Sequence, residues 1–353
     1  MRSTPPLIGP NALAPVPLKP INIAEHFAAM EAQRAANTRE CYLSDPLAMI
    51  LVALSMPIMS FSSYFGPILI LVFYAMWFSP ILFKGLHVIK STYDMLLVLL
   101  IPFFGILSTL WSDHPGKTLY TALSFFSMML CVIVMSRVVS FKALAQGVTL
   151  GISVCMLLTL ASGKYEADYF TGGYSLVGYY GSKNSVGFVA EIGLLFSLVS
   201  FHLYSGFINK ITCALIPSLI CAWCLYLGGS STALVSFFGA ITIVYGFYII
   251  VKLPQSIRQM VLLVGCIGAV GALSAAFLMG ADELLLQLLG KDATLTGRTR
   301  IWQVGITTGL ERPVLGHGYA AFWMPGRPVA EQLWHDFLIS GKAGFHFHST
   351  FIQ

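Results

Sequence analysis

The chain has 353 residues, of which 57% are hydrophobic and 10% charged. Ordinary soluble domains carry about 25% charged residues, so the composition excludes a cytosolic globular enzyme, and the deficit falls in blocks, as in a helical membrane protein. The formal net charge of +5 comes from basic residues placed singly between apolar stretches, with no basic run or basic aromatic face, which argues against nucleic acid as a partner.

Residues 1–45 are rich in Pro, Ala and charge and contain no apolar stretch of the signal-peptide kind. They are expected to form a cytosolic, largely disordered arm. Residues 46–280 contain successive apolar stretches long enough to approach the roughly 20 residues a spanning helix needs. The hydropathy pattern predicts about nine spans, at 46–63, 65–83, 93–111, 119–136, 143–161, 184–205, 211–229, 232–251 and 259–280. The expected fold class is therefore all-α, a polytopic transmembrane bundle followed by a large external segment, residues 281–353.

Orientation follows from Lys and Arg in the short connections. With the N-terminus inside, Arg2, Lys19, Arg34, Arg39, Lys84, Lys90, Arg137, Lys142, Lys210, Lys252 and Arg258 are cytoplasmic, and the short external loops keep Lys117, Lys164 and Lys183. That distribution predicts a cytoplasmic N-terminus, and nine spans then put the final segment outside. Of the seven cysteines, Cys41 precedes the first span and the others lie in apolar stretches, so no disulfide is expected. Cys221 and Cys224 form a C-x-x-C, but within Ile220–Leu225 they read as small core residues rather than a redox or metal pair. Glu191, near the start of the sixth span, is the main intramembrane charge; it is either a site residue or a carboxylate reaching the interface. No pair of broken apolar segments recurs in two halves, which counts against a transporter built on inverted repeats.

Residues 281–353 hold the richest side-chain chemistry. Thr299 to Gly309 can form a short helix, with Thr296 as a possible cap and Pro313 ending it. Arg298 lies at or just before its start, where a guanidinium beside free backbone N–H groups suits a phosphate, although a surface arginine bound to loop carbonyls fits equally. Gly316-His317-Gly318 reads as a turn that brings Tyr319 to Trp323 back toward the membrane, where aromatic rings suit an interfacial belt or sugar stacking. His346 and His348, with His335-Asp336, invite a metal reading, but no third ligand stands at a recognised spacing; a single imidazole as general base is better supported. Three joints fall on the same side: Trp111-Ser112-Asp113, Gly178 to Asn184, and Gly228 to Leu234. Lys183 and Asn184, at a helix start, make a second plausible phosphate contact.

Together these pieces resemble the O-antigen ligase/polymerase superfamily, and especially its exopolysaccharide-production polymerases. The matching stretches are Leu107–Ser112, Gly181–Gly187, Ser230–Leu234, Leu295–Trp302, Arg312–Tyr319 and the closing His346-Phe347-His348, in that order. The resemblance implies a GT-C-like membrane glycosyltransferase of the bacterial inner membrane. Its donor would be an undecaprenyl-pyrophosphate-linked glycan, its acceptor a second glycan on the periplasmic face, and its neighbours the lipid bilayer and the chain-length and export proteins of polysaccharide assembly. An activated donor calls for no cofactor. By this similarity Arg298 stabilises the departing pyrophosphate and His348 handles the acceptor proton. Arg300, Lys183, Asn184, His346 and Trp302 are expected to contact substrate or pyrophosphate. Ser349 stands where family members often have Asn. Further spans usually follow the His motif, so the chain is expected to be truncated at Gln353. Polymerase and ligase share this chemistry and differ in acceptor; a flippase or a non-catalytic scaffold of an export complex are the alternatives from other classes.

Overall fold

The computed structural model describes residues 43–85, 93–167, 173–278 and 298–337, with residues 339, 342, 346, 347, 349 and 352. Most of the expected N-terminal arm, Lys90, the Thr296 cap and His348 lie outside the described residues. Among these residues the apolar helices are α1 (Asp45–Ser60), α2 (Pro67–Lys84), α3 (Tyr93–Leu107), α4 (Pro115–Val138), α5 (Phe141–Ser162), α6 (Lys183–Leu203), α7 (Phe207–Gly228), α8 (Ser231–Val251) and α9 (Gln255–Leu278). A small antiparallel hairpin, β1 (Tyr165–Ala167) and β2 (Tyr174–Leu176), lies between α5 and α6. Two polar helices follow, α10 (Arg298–Glu311) and α11 (Pro328–Asp336).

Each of α1 to α9 falls within a few residues of an expected span. Five of them, α4 to α8, are long and apolar enough to cross a membrane by themselves, and α1, α2, α3 and α9 carry shorter apolar stretches. Three of these four contain prolines, Pro57 in α1, Pro80 in α2 and Pro102 in α3, which remove an i→i−4 hydrogen bond and limit a straight run. In α7 a π-helical stretch, Ile211–Leu215, ends two residues before Pro217; a widened turn is one way to accommodate a residue with no amide to donate.

Helix α5 is the hub. It packs against α1, α6 and α7, and its buried residues come from most of its circumference, from Ala143 to Thr159. Close approach depends on glycines. A Cβ on Gly147 would lie 2.6 Å from Val52 Cβ, and one on Gly151 would meet the Ala53 carbonyl and lie 2.7 Å from Met56 Cγ. Gly147 and Gly151 are four residues apart, a small-x-x-x-small spacing that lets two backbones touch. On α6, a Cβ on Gly193 would stand 2.6 Å from Cys221 Sγ of α7. Buried hydroxyls in this core return to their own helices: Thr149 Oγ1 donates to Ala145 O at 2.8 Å, Ser153 to Thr149 O at 2.7 Å and Thr159 to Cys155 O at 2.8 Å. Trp77 Nε1 donates to Ser55 Oγ at 2.9 Å, joining α2 to α1. With no water in hydrocarbon, these groups would otherwise remain unsatisfied. Cys221 and Cys224 are free and buried in this core.

The loops sort into two ends. At one, Leu43 N–H donates to Val138 O and Ser140 Oγ to Asp45 Oδ1, bringing the start of α1 to the α4–α5 junction. At the other, Phe61 and Tyr64 pack on Tyr179, and the Lys164 ammonium lies 4.9 and 5.0 Å from the Tyr64 and Tyr179 ring centroids. Ser230 Oγ donates to Asn184 Oδ1 there at 3.2 Å. This second end, which also holds the α3–α4 loop because α4 runs away from Val138, is called the site end below. Helices α8 and α9 present exposed large apolar side chains over most of their length, as lipid-facing helices do.

Replacing Gly151 with Leu should separate α1 from α5 and destabilise the detergent-solubilised protein by about 1–3 kcal/mol, the usual cost of overpacking a core. A lowered thermal unfolding midpoint is the measurement; an unchanged midpoint would refute the close contact.

Candidate functional site

Helix α10 begins at Arg298, one residue earlier than expected, and continues to Glu311, two residues later. Ile301, Gly305 and Thr308 are its buried positions, spaced at four and three residues so that one stripe faces inward. Gly305 lets Phe347 and Ile352 approach: a Cβ there would lie 2.7 Å from Phe347 Cε1 and 2.6 Å from Ile352 Cγ2. Pro313 stops the helix as the sequence suggests. Helix α11, which the sequence reading did not anticipate, starts with Pro328 and buries Ala330, Leu333 and Trp334. Between the two helices, Phe322, Trp323, Trp334 and Phe347 form an aromatic cluster with centroid separations of 4.7 Å for Phe322–Phe347 and 5.0 Å for Trp323–Phe347. The aromatic stretch expected at the membrane interface or against sugar is thus largely engaged in packing this unit. Tyr319 stacks on Phe125 of α4, with centroids 6.0 Å apart.

The C-terminal unit is fastened to the α3–α4 loop at the site end. Trp111 Nε1 donates to Leu315 O at 2.8 Å, Asp113 N–H to His317 O at 3.1 Å, Tyr319 N–H to Ser108 Oγ at 3.0 Å and Thr118 Oγ1 to Tyr319 O at 2.9 Å. Gly318 has φ +97° and sits directly on Ser112, where any Cβ would collide. The turn expected at Gly316–Gly318 exists because both glycines adopt positive φ.

Asp113 is the charged centre of this joint. Its Oδ1 pairs with Arg312 Nη1 at 2.9 Å, and its Oδ2 with His317 Nδ1 at 2.8 Å and Arg327 Nη1 at 3.4 Å. Burial pushes this carboxyl up, but the His317 hydrogen bond and the Arg312 and Arg327 charges outweigh it and hold the group below its ordinary value. An open cavity of about 470 Å³ lies beside it, lined by His114, Glu311, Arg312, Arg327 and Pro328 among others. In the sequence Asp113 and His317 stand apart, as joint and turn residues, and no local pattern pairs them across some two hundred positions or marks out Arg327.

The expected site residues are distributed as follows. Arg298 starts α10, and its backbone alone is described. Arg300 is paired with Asp336, Nη2 to Oδ2 at 2.6 Å, and its side chain is still 56% exposed. Asp336, entertained above as a metal ligand, is therefore engaged by Arg300, while the His335 side chain is 90% exposed. Trp302 Nε1 donates to Phe347 O at 2.7 Å, tying α10 to the His346–His348 segment through the residue between the histidines. His346 is exposed, and His348 lies outside the described residues. Lys183 and Asn184 begin α6, beside the α7–α8 turn, where Gly187 lets Ser230 approach to 2.5 Å of a would-be Cβ. One group of candidates thus gathers around α10 and another at the head of α6, both at the site end. Glu191 lies half-buried two turns into α6. Among the described residues no three His, Cys, Asp or Glu side chains gather as a metal ion would require.

Because Asp113 has a lowered folded value, its contribution to docking is present above its unfolded value and is lost as pH falls through the folded one. The unit should therefore stay docked through the range near 3.9 in which a free Asp side chain protonates. Below that range it should release. Tryptophan fluorescence of detergent-solubilised protein over an acid titration measures this, and Asp113→Asn should remove the acid limb attributable to this group.

A family model described as O-antigen ligase matches residues 216–353, from α7 through the C-terminal unit. The exopolysaccharide production protein ExoQ of Rhizobium meliloti (strain 1021) is 32% identical over 303 residues, covering 86% of this chain and 69% of that protein. No solved structure matches the chain. With that identity over most of both chains, and with the family match falling on the segment that holds α10 and the histidines that follow it, this integral membrane protein belongs to the O-antigen ligase family.

Proposed function

We propose that the chain is a membrane glycosyltransferase that joins glycan units carried on undecaprenyl pyrophosphate, in exopolysaccharide biosynthesis. Its site end faces the periplasm and its N-terminus the cytoplasm, as the Lys and Arg distribution favours. One observation carries the reading: α10, bearing Arg298, Arg300 and Trp302, is fastened by the α3–α4 loop to the end of the bundle where the Lys183–Asn184 helix start also opens. A lipid-linked donor lies at that boundary, with its isoprenoid in hydrocarbon and its pyrophosphate among polar groups.

The transfer balances without an external energy source. An acceptor hydroxyl oxygen attacks the anomeric carbon of the donor sugar, and the bond from that carbon to the pyrophosphate oxygen breaks. Undecaprenyl pyrophosphate leaves with the bonding electrons, and the hydroxyl proton passes to His348. Negative charge grows on the pyrophosphate oxygens as the bond breaks, so a fixed guanidinium there stabilises the transition state more than the ground state. Arg298 has that role, with Arg300 and Lys183 as further cations. His348 acts as general base, the task for which an imidazole is suited near neutral pH. His346, Trp302 and Asn184 contact the sugars or the pyrophosphate. The similarity to ExoQ, an exopolysaccharide production protein, favours a second lipid-linked unit as acceptor. Transfer to a lipid A core is the alternative, favoured by the description of the family model.

Arg298→Ala and His348→Ala should each lower polymer formation by about a hundredfold or more, the scale of removing a transition-state charge partner or a general base, with membrane insertion retained. Purified protein supplied with lipid-linked repeat units alone should lengthen the glycan. Normal polymer from both variants would sink the residue assignments, and product that forms only on addition of lipid A core would favour the ligase.

A further inference from the structure

His317 makes two contacts that both demand a proton. Its Nδ1 lies 2.8 Å from Asp113 Oδ2, and its Nε2 lies 3.0 Å from the Thr308 carbonyl. A carboxylate and a peptide carbonyl both accept and neither donates. A neutral imidazole has one N–H and could satisfy one of them; the imidazolium satisfies both. The Thr308 carbonyl is available for a physical reason. It is in the last turn of α10, and its usual partner, the Arg312 N–H, turns instead to Gly309 O at 3.1 Å. His317 therefore caps an orphan carbonyl at the negative end of the helix, where a cation is favoured. The His317 side chain is only 12% exposed. The charged and titratable groups around it are Asp113 and His114 from the α3–α4 loop, Glu311 from α10 with Oε2 3.8 Å from Nε2, and Arg312 and Arg327 from the flanking turns.

We infer that His317, held as an imidazolium between Asp113 and the C-terminal end of α10, is a positioning residue that aims α10 at the reacting lipid-linked glycan. It touches neither substrate nor the reacting atoms: α10 is 14 residues long, so its two ends stand about 20 Å apart at 1.5 Å per residue. What it fixes is direction. The ring ties the far end of the helix to a loop anchored on α3 and α4, and a tilt there moves the near end, where Arg298 begins the first turn. This rests on the proposed reading of Arg298. The bolt itself can be tested without it.

Asp113→Asn separates charge from geometry. An Asn can keep Oδ1 toward Arg312 and turn Nδ2 toward His317, donating to a neutral Nδ1 while Nε2–H still reaches Thr308 O. The asparagine variant thus keeps both His317 bonds with an uncharged ring and gives up the 3.4 Å Arg327 contact, whereas Asp113→Ala loses the bond to Nδ1 together with the Arg312 and Arg327 pairs. Hydrogen exchange of peptides covering residues 108–118 and 312–321 in detergent-solubilised full-length protein reports docking, because the Asp113 and Tyr319 amides donate across the joint. Asp113→Ala and His317→Ala should speed exchange in both peptides by about tenfold or more. Asp113→Asn should stay close to wild-type protection. If polymerisation is measured alongside, both alanine variants should lower kcat by about tenfold and leave the donor KM within about twofold. Exchange that is unchanged in both alanine variants would overturn the bolt, as would an asparagine variant as unprotected as alanine. Altered exchange with unaltered kcat would keep the bolt and remove its positioning role. Altered exchange in a protein with no transferase activity would instead count against the proposed function.

Discussion

Polar groups in hydrocarbon have no water to fall back on, and that constraint organises this molecule. It sends the buried Ser and Thr hydroxyls of α5 back to their own helix carbonyls and makes Trp77 reach for Ser55. With so few polar partners available between helices, association depends on close contact, which Gly147, Gly151 and Gly193 permit. It also expels charge to the loop ends. The residues with chemistry to offer are consequently concentrated where α3–α4, the β-hairpin and α7–α8 turn round, and there the C-terminal unit is attached.

That attachment solves a second difficulty. A unit of two short helices has little core of its own, and isolated helices of this length are marginal in water. The aromatic cluster of Phe322, Trp323, Trp334 and Phe347 supplies some internal packing, and the α3–α4 loop supplies the rest through backbone hydrogen bonds and Asp113. Asp113 faces three cationic or potentially cationic groups. Those contacts hold its charge, and the charge in turn suits a protonated His317. Each contact there makes its neighbour more favourable, as expected for a partly shielded network. The exposed pair of Lys342 with Glu331, at 2.6 Å, belongs to a weaker class: the carboxyl is held low by that hydrogen bond, yet water surrounds it.

Trp302 has a structural role that its sequence position does not reveal, since its indole N–H binds the Phe347 carbonyl. Arg300 is partly committed to Asp336.

The apolar helices and their approximate limits were legible in the sequence because lipid imposes a length and a composition on each segment separately. The helix opening at Arg298 was legible too, through Pro313 and the helix-forming run before it. The hairpin and α11 were not, since short polar segments carry weak periodicity and gain stability only from what they pack on. Nor was the Asp113–His317–Thr308 bolt, which joins groups far apart in the chain and depends on two glycines at positive φ to turn the backbone back. Local composition by itself determined where the apolar helices of the described residues lie and which residue types the loops would carry. Only the tertiary structure decided which loop holds the C-terminal unit and which charges meet, because a hydrogen bond needs angstrom-scale geometry that no local pattern encodes.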